Sequence, residues 1–183
     1  MSLGVEFKKL ENYIRKNCIE YGKFTLKSGI ESNVYVDCKK LLLSSYLYLT
    51  TINLSKILND FAFNSIGGPE VGVIPLIGSF ITYKKSVSGI EYNGFVVRKE
   101  EKTHGKSDIV IGCIERGDRC VVIEDTTTTG RSLYRAVEEV EKLDCKVIQA
   151  VTIIDREMGA KELFEKRNIP FSALYTLSDL TKD

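Results

Sequence analysis

Residues 121–132 read Val-Val-Ile-Glu-Asp-Thr-Thr-Thr-Thr-Gly-Arg-Ser, an apolar run that ends in two acids and a hydroxyl-rich turn. Thr126, Thr127, Thr128, Thr129 and Gly130 lead into a helical pattern that opens with Arg131 and Ser132. A helix start presents unpaired N–H groups and the positive end of the helix dipole, which together suit a phosphate. Hydroxyls of Thr128, Thr129 and Ser132 add donors, and Gly130 lets the backbone come close to a ligand. The adjacent acids would repel that phosphate, so Glu124 and Asp125 need other partners. Ribose hydroxyls fit, because ionised carboxylates only accept hydrogen bonds. An ordinary helix cap would explain one threonine here, not the whole string. There is no GxxxxGK[ST], so the loop is not a Walker A phosphate site.

Two further places carry chemistry. Arg98, Lys99, Lys102 and Lys106 lie with the only histidine, His104, within nine residues, and Glu100 and Glu101 offset them in part. Alone, such a stretch is a solvated loop. Beside a phosphate site, the same cations can neutralise charge on a phosphorylated ligand. Gly94 and Gly105 flank the stretch and can let it close as a lid. His104, with an ordinary pKa of about 6.5, can carry a proton. Arg156 follows a second apolar run. Alone it reads as a surface residue or a partner of Asp155, yet its planar fork also fits a carboxylate. Lys27, in the turn Lys27-Ser28-Gly29, reads by itself as an exposed turn lysine.

These groups need a scaffold, and the hydrophobic pattern supplies one. Residues 5–20 carry Val5, Phe7, Leu10, Tyr13, Ile14 and Cys18 at helical spacing, with Gly22 as the expected stop. Two short segments, Lys23–Leu26 and Asn33–Asp37, lie around the turn Lys27-Ser28-Gly29, and a helix is expected over 46–61. Then strands alternate with helices: a strand at Ser65–Gly67, a helix to about Lys84, and strands at Gly94–Val97 and Ile109–Gly112. Cys120–Ile123 and Lys146–Ile154 are apolar runs of the kind a buried parallel strand shows. Helices are expected at 131–143 and 157–167, and a last strand at Phe171–Tyr175. The alternation implies an α/β fold with a mostly parallel sheet flanked by helices. Ligands of such sheets bind beyond the carboxyl ends of the strands. That places the loops after Ile66, Ile123 and Ile154 together.

Composition removes several function classes. With 26 basic against 25 acidic residues the formal net charge is +1, so no broad one-signed surface favours nucleic acid or a membrane. One histidine and five scattered cysteines without a CxxC argue against a multi-histidine metal centre, a zinc site or a disulfide framework. Free thiols point to the cytoplasm. No apolar run reaches the ~18–20 residues of a spanning helix, and no signal peptide is expected at the N-terminus.

The string at 121–132 resembles the phosphoribosyl-pyrophosphate signature of type I phosphoribosyltransferases, with Thr126 and Thr127 where the family more often has apolar residues. Phe24–Asp37 is similar to the N-terminal segment of orotate phosphoribosyltransferases, Val97–Gly105 to their catalytic loop, and Ile154–Glu157 to the place where they present an arginine to orotate. Together with Gly67–Gly72, the resemblance covers about residues 20–160. It implies one domain, with a small hood from about residues 1–40 and the chain ends, an α/β core over 41–160, and a C-terminal element at 161–183. It implies that Lys102, His104 and Asp125 are catalytic. The donor 5-phospho-α-D-ribose 1-diphosphate (PRPP) would be bound by Lys27, Arg98, Lys99, Lys102, His104, Glu124, Asp125 and Thr126–Ser132. Orotate would be bound by Lys27, Thr128 and Arg156. Mg²⁺ would be held mainly through the donor's oxygens and water, with no protein metal ligands. The resemblance further implies a homodimer with shared sites, in which Arg98 serves its own subunit and Lys99, Lys102 and His104 the neighbour's. Orotidine 5′-phosphate decarboxylase is expected on a separate chain. A fold relative that uses PRPP only as an effector should lack either the loop cations or Arg156. An enzyme for another base should have no use for Arg156.

Overall fold

The computed structural model describes residues 3–25, 29–70, 72–99 and 109–182. Helix α1 (Leu3–Asn17) is followed by an antiparallel hairpin of β1 (Ile19–Thr25) and β2 (Glu31–Val36). Next come α2 (Lys39–Leu42), α3 (Leu47–Ile57), β3 (Ser65–Pro69), α4 (Ile74–Ser88), β4 (Asn93–Val97) and β5 (Val110–Gly112). The chain continues through β6 (Arg119–Thr127), α5 (Arg131–Glu141), β7 (Lys146–Asp155), α6 (Ala160–Glu165), β8 (Phe171–Thr176) and α7 (Leu177–Thr181). Strands β5-β4-β3-β6-β7-β8 form one sheet, parallel except where the edge strand β5 runs against β4. Among the described residues no helix is long and apolar enough to cross a membrane.

Strand β6 sits inside the sheet, so both of its faces are covered. Val121 and Ile123 join the cluster that holds Leu54, Leu76 and Phe80 from α3 and α4. Cys120 and Val122 face Leu133, Ala136, Val137 and Val140 on the other side. Those four residues recur at helical spacing along α5 and form its buried stripe. Close packing of β3 on β6 leaves no room for a side chain at Gly68, where a Cβ would lie 1.9 Å from the carbonyl oxygen of Ile123. Helix α1 is tied to the far end of the chain. Arg15 donates to the carbonyls of Leu180 (2.9 Å), Lys182 (2.6 Å) and Asp179, which satisfies acceptors left open at the end of α7.

Several element boundaries differ from the sequence reading, and three of the differences have a clear physical reason. The first helix stops at Asn17, because Ile19 pairs with Val36 and turns the chain into the hairpin; Gly22 lies within β1, where the register shifts. Strand β6 does not end at Ile123. Its backbone stays paired with β7 through Thr126↔Ile154 and Thr127↔Asp155, so only Thr128–Gly130 form the turn. Helix α6 begins at Ala160 rather than 157, because Glu157 (φ 58°) and Gly159 (φ 107°) adopt left-handed conformations that a helix excludes. Helices α2 and α7 are too short to leave a periodic signal.

Gly68→Ala should cost about 3 kcal/mol, since a methyl group forced onto the Ile123 carbonyl must push β3 and β6 apart. Urea unfolding of the variant against wild type checks this, and an unchanged midpoint contradicts the tight β3–β6 approach.

Candidate active site

The carboxyl ends of β3, β4, β6 and β7 lie side by side at one end of the sheet. The two acids occupy the last part of β6. Glu124 accepts a hydrogen bond on Oε2 from the Thr127 hydroxyl (3.1 Å), and Asp125 accepts on Oδ1 from the Thr126 N–H (2.7 Å). The turn after β3 presses against this pair: a Cβ on Gly72 would lie 2.7 Å from Asp125 Oδ2. From below, buried Cys38 meets the same strand. Its Sγ accepts from the Thr126 hydroxyl at 3.1 Å and lies 3.7 Å from the Asp125 carbonyl oxygen. Burial pushes the Cys38 thiol pKa well up, so it stays a neutral packing group.

The hydroxyls of Thr126 and Thr127 are therefore directed into the protein, to Cys38 and Glu124. Thr128, Thr129 and Gly130 make the turn into α5. Gly130 occupies the N-cap position at φ 78°, with its α-carbon face against Ala160, where a Cβ would lie 3.1 Å from Ala160 Cα. The N-cap residue supplies no side-chain cap to the first amides of α5. The start of this 11-residue helix thus keeps its amide donors for an anion beside the exposed Arg131 and Ser132.

Arg156 follows the last residue of β7, and its backbone N–H donates to the Thr127 carbonyl at 2.9 Å. Its side chain is buried, the residue being only 5% exposed. Nη2 donates to the Ser32 hydroxyl (2.9 Å) and the Val34 carbonyl (2.7 Å), both on β2. Nε is buried with no partner. Among the described residues no carboxylate forms an ion pair with it. Asp155 is not the partner: its Oδ1 accepts from the Glu157 N–H at 2.9 Å, and burial pushes its pKa up. Burial also pulls the Arg156 pKa down from its ordinary value, with a smaller opposing effect from Tyr35. A buried cation without a counter-charge is costly, and an arriving carboxylate would offset that cost.

The cationic stretch begins next to these elements. Arg98 donates its N–H to the Ile109 carbonyl (2.8 Å), and the Lys99 N–H lies 3.5 Å from Glu70 Oε1. Its stem thus opens from β4 and β5 at the same sheet end as the acid pair. Lys102 and His104 lie outside the described residues, as does Lys27. The structure thus gathers Glu124, Asp125, Thr128–Ser132, Arg156 and the stem residues Arg98 and Lys99 at one end of the sheet. Ser32, Cys38 and Gly72 complete this arrangement without having been singled out in the sequence. Ser32 lies within the Phe24–Asp37 segment, but its bond to Arg156 spans 124 residues and has no local signal.

Among the described residues no three His, Cys, Asp or Glu side chains gather around one point as a metal cage would require. The donor set at the site is two neighbouring carboxylates that already accept hydrogen bonds. It fits a magnesium ion that keeps water and substrate oxygens as its main ligands.

Residues 89–170 match the phosphoribosyl transferase domain. Orotate phosphoribosyltransferase of Methanosphaera stadtmanae is 35% identical over 178 residues, which cover 95% of this chain and 96% of that protein. The crystal structure of Mycobacterium tuberculosis H37Rv orotate phosphoribosyltransferase with Fe(III) dicitrate superposes with a TM-score of 0.83 at 29% identity, covering 97% of this chain and 99% of that one. A structure of the same M. tuberculosis enzyme in complex with PRPP gives a TM-score of 0.79 at 27% identity, with the same two coverages.

Proposed function

The chain belongs to the orotate phosphoribosyltransferase family, and from that premise we propose how its residues divide the work of moving a phosphoribosyl group from PRPP to orotate. The products are orotidine 5′-phosphate and diphosphate, a step in pyrimidine (UMP) biosynthesis. The observation that carries the division is the buried Arg156, which has an unpartnered Nε and, among the described residues, no paired acid. Orotate brings a carboxylate to that place; uracil and the purine bases bring none.

The 5′-phosphate of PRPP sits at the uncapped start of α5, held by backbone amides and by Thr128, Thr129 and Ser132. Glu124 and Asp125 accept from the ribose hydroxyls, which fixes the sugar ring against the sheet end. Their negative charge also favours the cationic ring that forms as the bond from C1 to diphosphate breaks. Arg156 orients orotate so that its ring nitrogen faces that carbon and closes the new C–N bond. Thr128 and Lys27 assist at the base, and Arg98, Lys99, Lys102 and His104 take the charge of the departing diphosphate. A bound magnesium ion supplies further charge neutralisation on the diphosphate. Closure of the cationic stretch over the site excludes water, which would otherwise consume the donor. The five free thiols fit a reducing compartment, and we place the enzyme in the cytoplasm.

The enzyme acts as a two-fold homodimer in which Lys99, Lys102 and His104 complete the neighbouring subunit's site, beside the partner's own acid pair. The support is the crowding of permanent cations in residues 98–106, more than one such loop can pack against its own core, together with the family relationship.

Arg156→Ala should raise the KM for orotate by about a hundredfold, the value of a charge-assisted contact of about 3 kcal/mol, and leave the KM for PRPP nearly unchanged. Arg156→Lys should not restore orotate use, because an ammonium lacks the planar fork. Steady-state kinetics on both variants check this; an orotate KM within a few-fold of wild type, by the same arithmetic, removes Arg156 from the site. For the dimer, Lys102→Ala and Asp125→Asn should each be nearly inactive. Random subunit mixing should restore activity toward about a quarter of wild type, since half the sites are in heterodimers and half of those carry neither defect. No recovery, with exchange confirmed by mass spectrometry, would show that each loop serves its own subunit.

A further inference from the structure

Glu157 adopts φ 58°, a left-handed conformation that a side chain with a Cβ enters only at a cost. Its surroundings hold it there from two sides. Its N–H donates to Asp155 Oδ1 at 2.9 Å, closing a tight turn around Arg156. Its carboxylate reaches across to the first turn of α7, where Oε2 accepts the Ser178 N–H and Oε1 the Ser178 hydroxyl, both at 2.8 Å. Thr176 caps the same helix end by accepting from the Asp179 N–H at 3.1 Å. The other end of α7 is held by Arg15 of α1 through the Leu180, Lys182 and Asp179 carbonyls. A continuous chain of bonds therefore runs from α1 through α7 to the turn that carries Arg156.

We propose that Glu157 is a positioning residue for Arg156, and that the C-terminal helix α7 thereby sets how well the site reads the orotate carboxylate. The inference rests on the assignment of Arg156 to orotate. The carboxylate of Glu157 is engaged by Ser178, so its influence on the site passes through the backbone. Without the Ser178 bonds, only the Asp155 contact holds Glu157 at positive φ, and the turn relaxes toward ordinary geometry. Arg156 then shifts against Ser32 and Val34. The acid pair is held by other contacts, from Cys38 and Gly72, so donor binding changes far less than orotate binding.

Steady-state kinetics with both substrates test this. Glu157→Ala should raise the orotate KM by about tenfold, as expected for a displaced contact group, with the PRPP KM within about twofold of wild type. Glu157→Gln should behave nearly as wild type, because the amide oxygen still accepts from the Ser178 N–H and the amide nitrogen can donate to the Ser178 hydroxyl. Ser178→Ala removes the hydroxyl's bonds to Glu157 and Thr176, far from the site, and should move the orotate KM in the same direction by about threefold. Equal rises in both KM values, or no rescue by glutamine, would show a general structural role and overturn the proposal. An orotate KM unchanged in Glu157→Ala and Ser178→Ala, while Arg156→Ala raises it, overturns the proposal and leaves Arg156 in place. If Arg156→Ala leaves the orotate KM unchanged, the assignment of Arg156 fails first and the proposal fails with it.

Discussion

A guanidinium removed from water, with no acid paired to it among the described residues, is the constraint around which this site is organised. Taking a charge out of water costs several kcal/mol even after relaxation, and the protein offsets only part of that at Arg156. It supplies one hydroxyl, from Ser32, and one carbonyl, from Val34, both to Nη2. Both acceptors lie on the hairpin rather than in the sheet, so the cation that would read the substrate also fastens the hairpin to the core. Asp155 and Glu157, the acids nearest in sequence, are engaged by the turn and by α7. On the proposed assignment, the remaining electrostatic deficit would favour a carboxylate-bearing base over a neutral one.

The donor half of the site is built on the opposite sign. Glu124 and Asp125 stay on a paired strand instead of a loop, which fixes their backbone against β7. Gly72 allows the neighbouring turn to approach Asp125, and Cys38 fills the space beneath. The acids sit one turn from helix amides that suit a phosphate, an arrangement that offers acceptors to sugar hydroxyls and donors to a phosphate. The two halves meet where the Thr127 carbonyl receives the Arg156 N–H, which sets the spacing between donor and base through one backbone bond.

Much of this was legible in the sequence because the informative features are local. Cys120–Ile123 and Lys146–Ile154 read as buried strands because both faces of a central strand are apolar. The acids, the threonines, Gly130 and Arg156 announced themselves by chemistry and by position at strand ends. The hairpin did not: β1 is mostly exposed, so no alternation marks it against the helix before it. Nor did the continuation of β6 through Thr127, which depends on pairing with β7 rather than on threonine itself. Ser32, Cys38 and Glu157 gain their roles from partners distant in the chain or from a backbone angle, and no spacing rule reports either.

The central claim is that a buried, unpaired arginine selects the base. Following diphosphate release by the wild-type enzyme with PRPP and Mg²⁺, offered orotate, uracil, adenine, guanine or hypoxanthine in turn, tests it most directly. Orotate should be preferred over uracil in kcat/KM by about a thousandfold or more, because a base lacking the carboxylate leaves the buried guanidinium without its partner. Uracil turned over within about tenfold of orotate would contradict the account, since Arg156 would then contribute little to base selection.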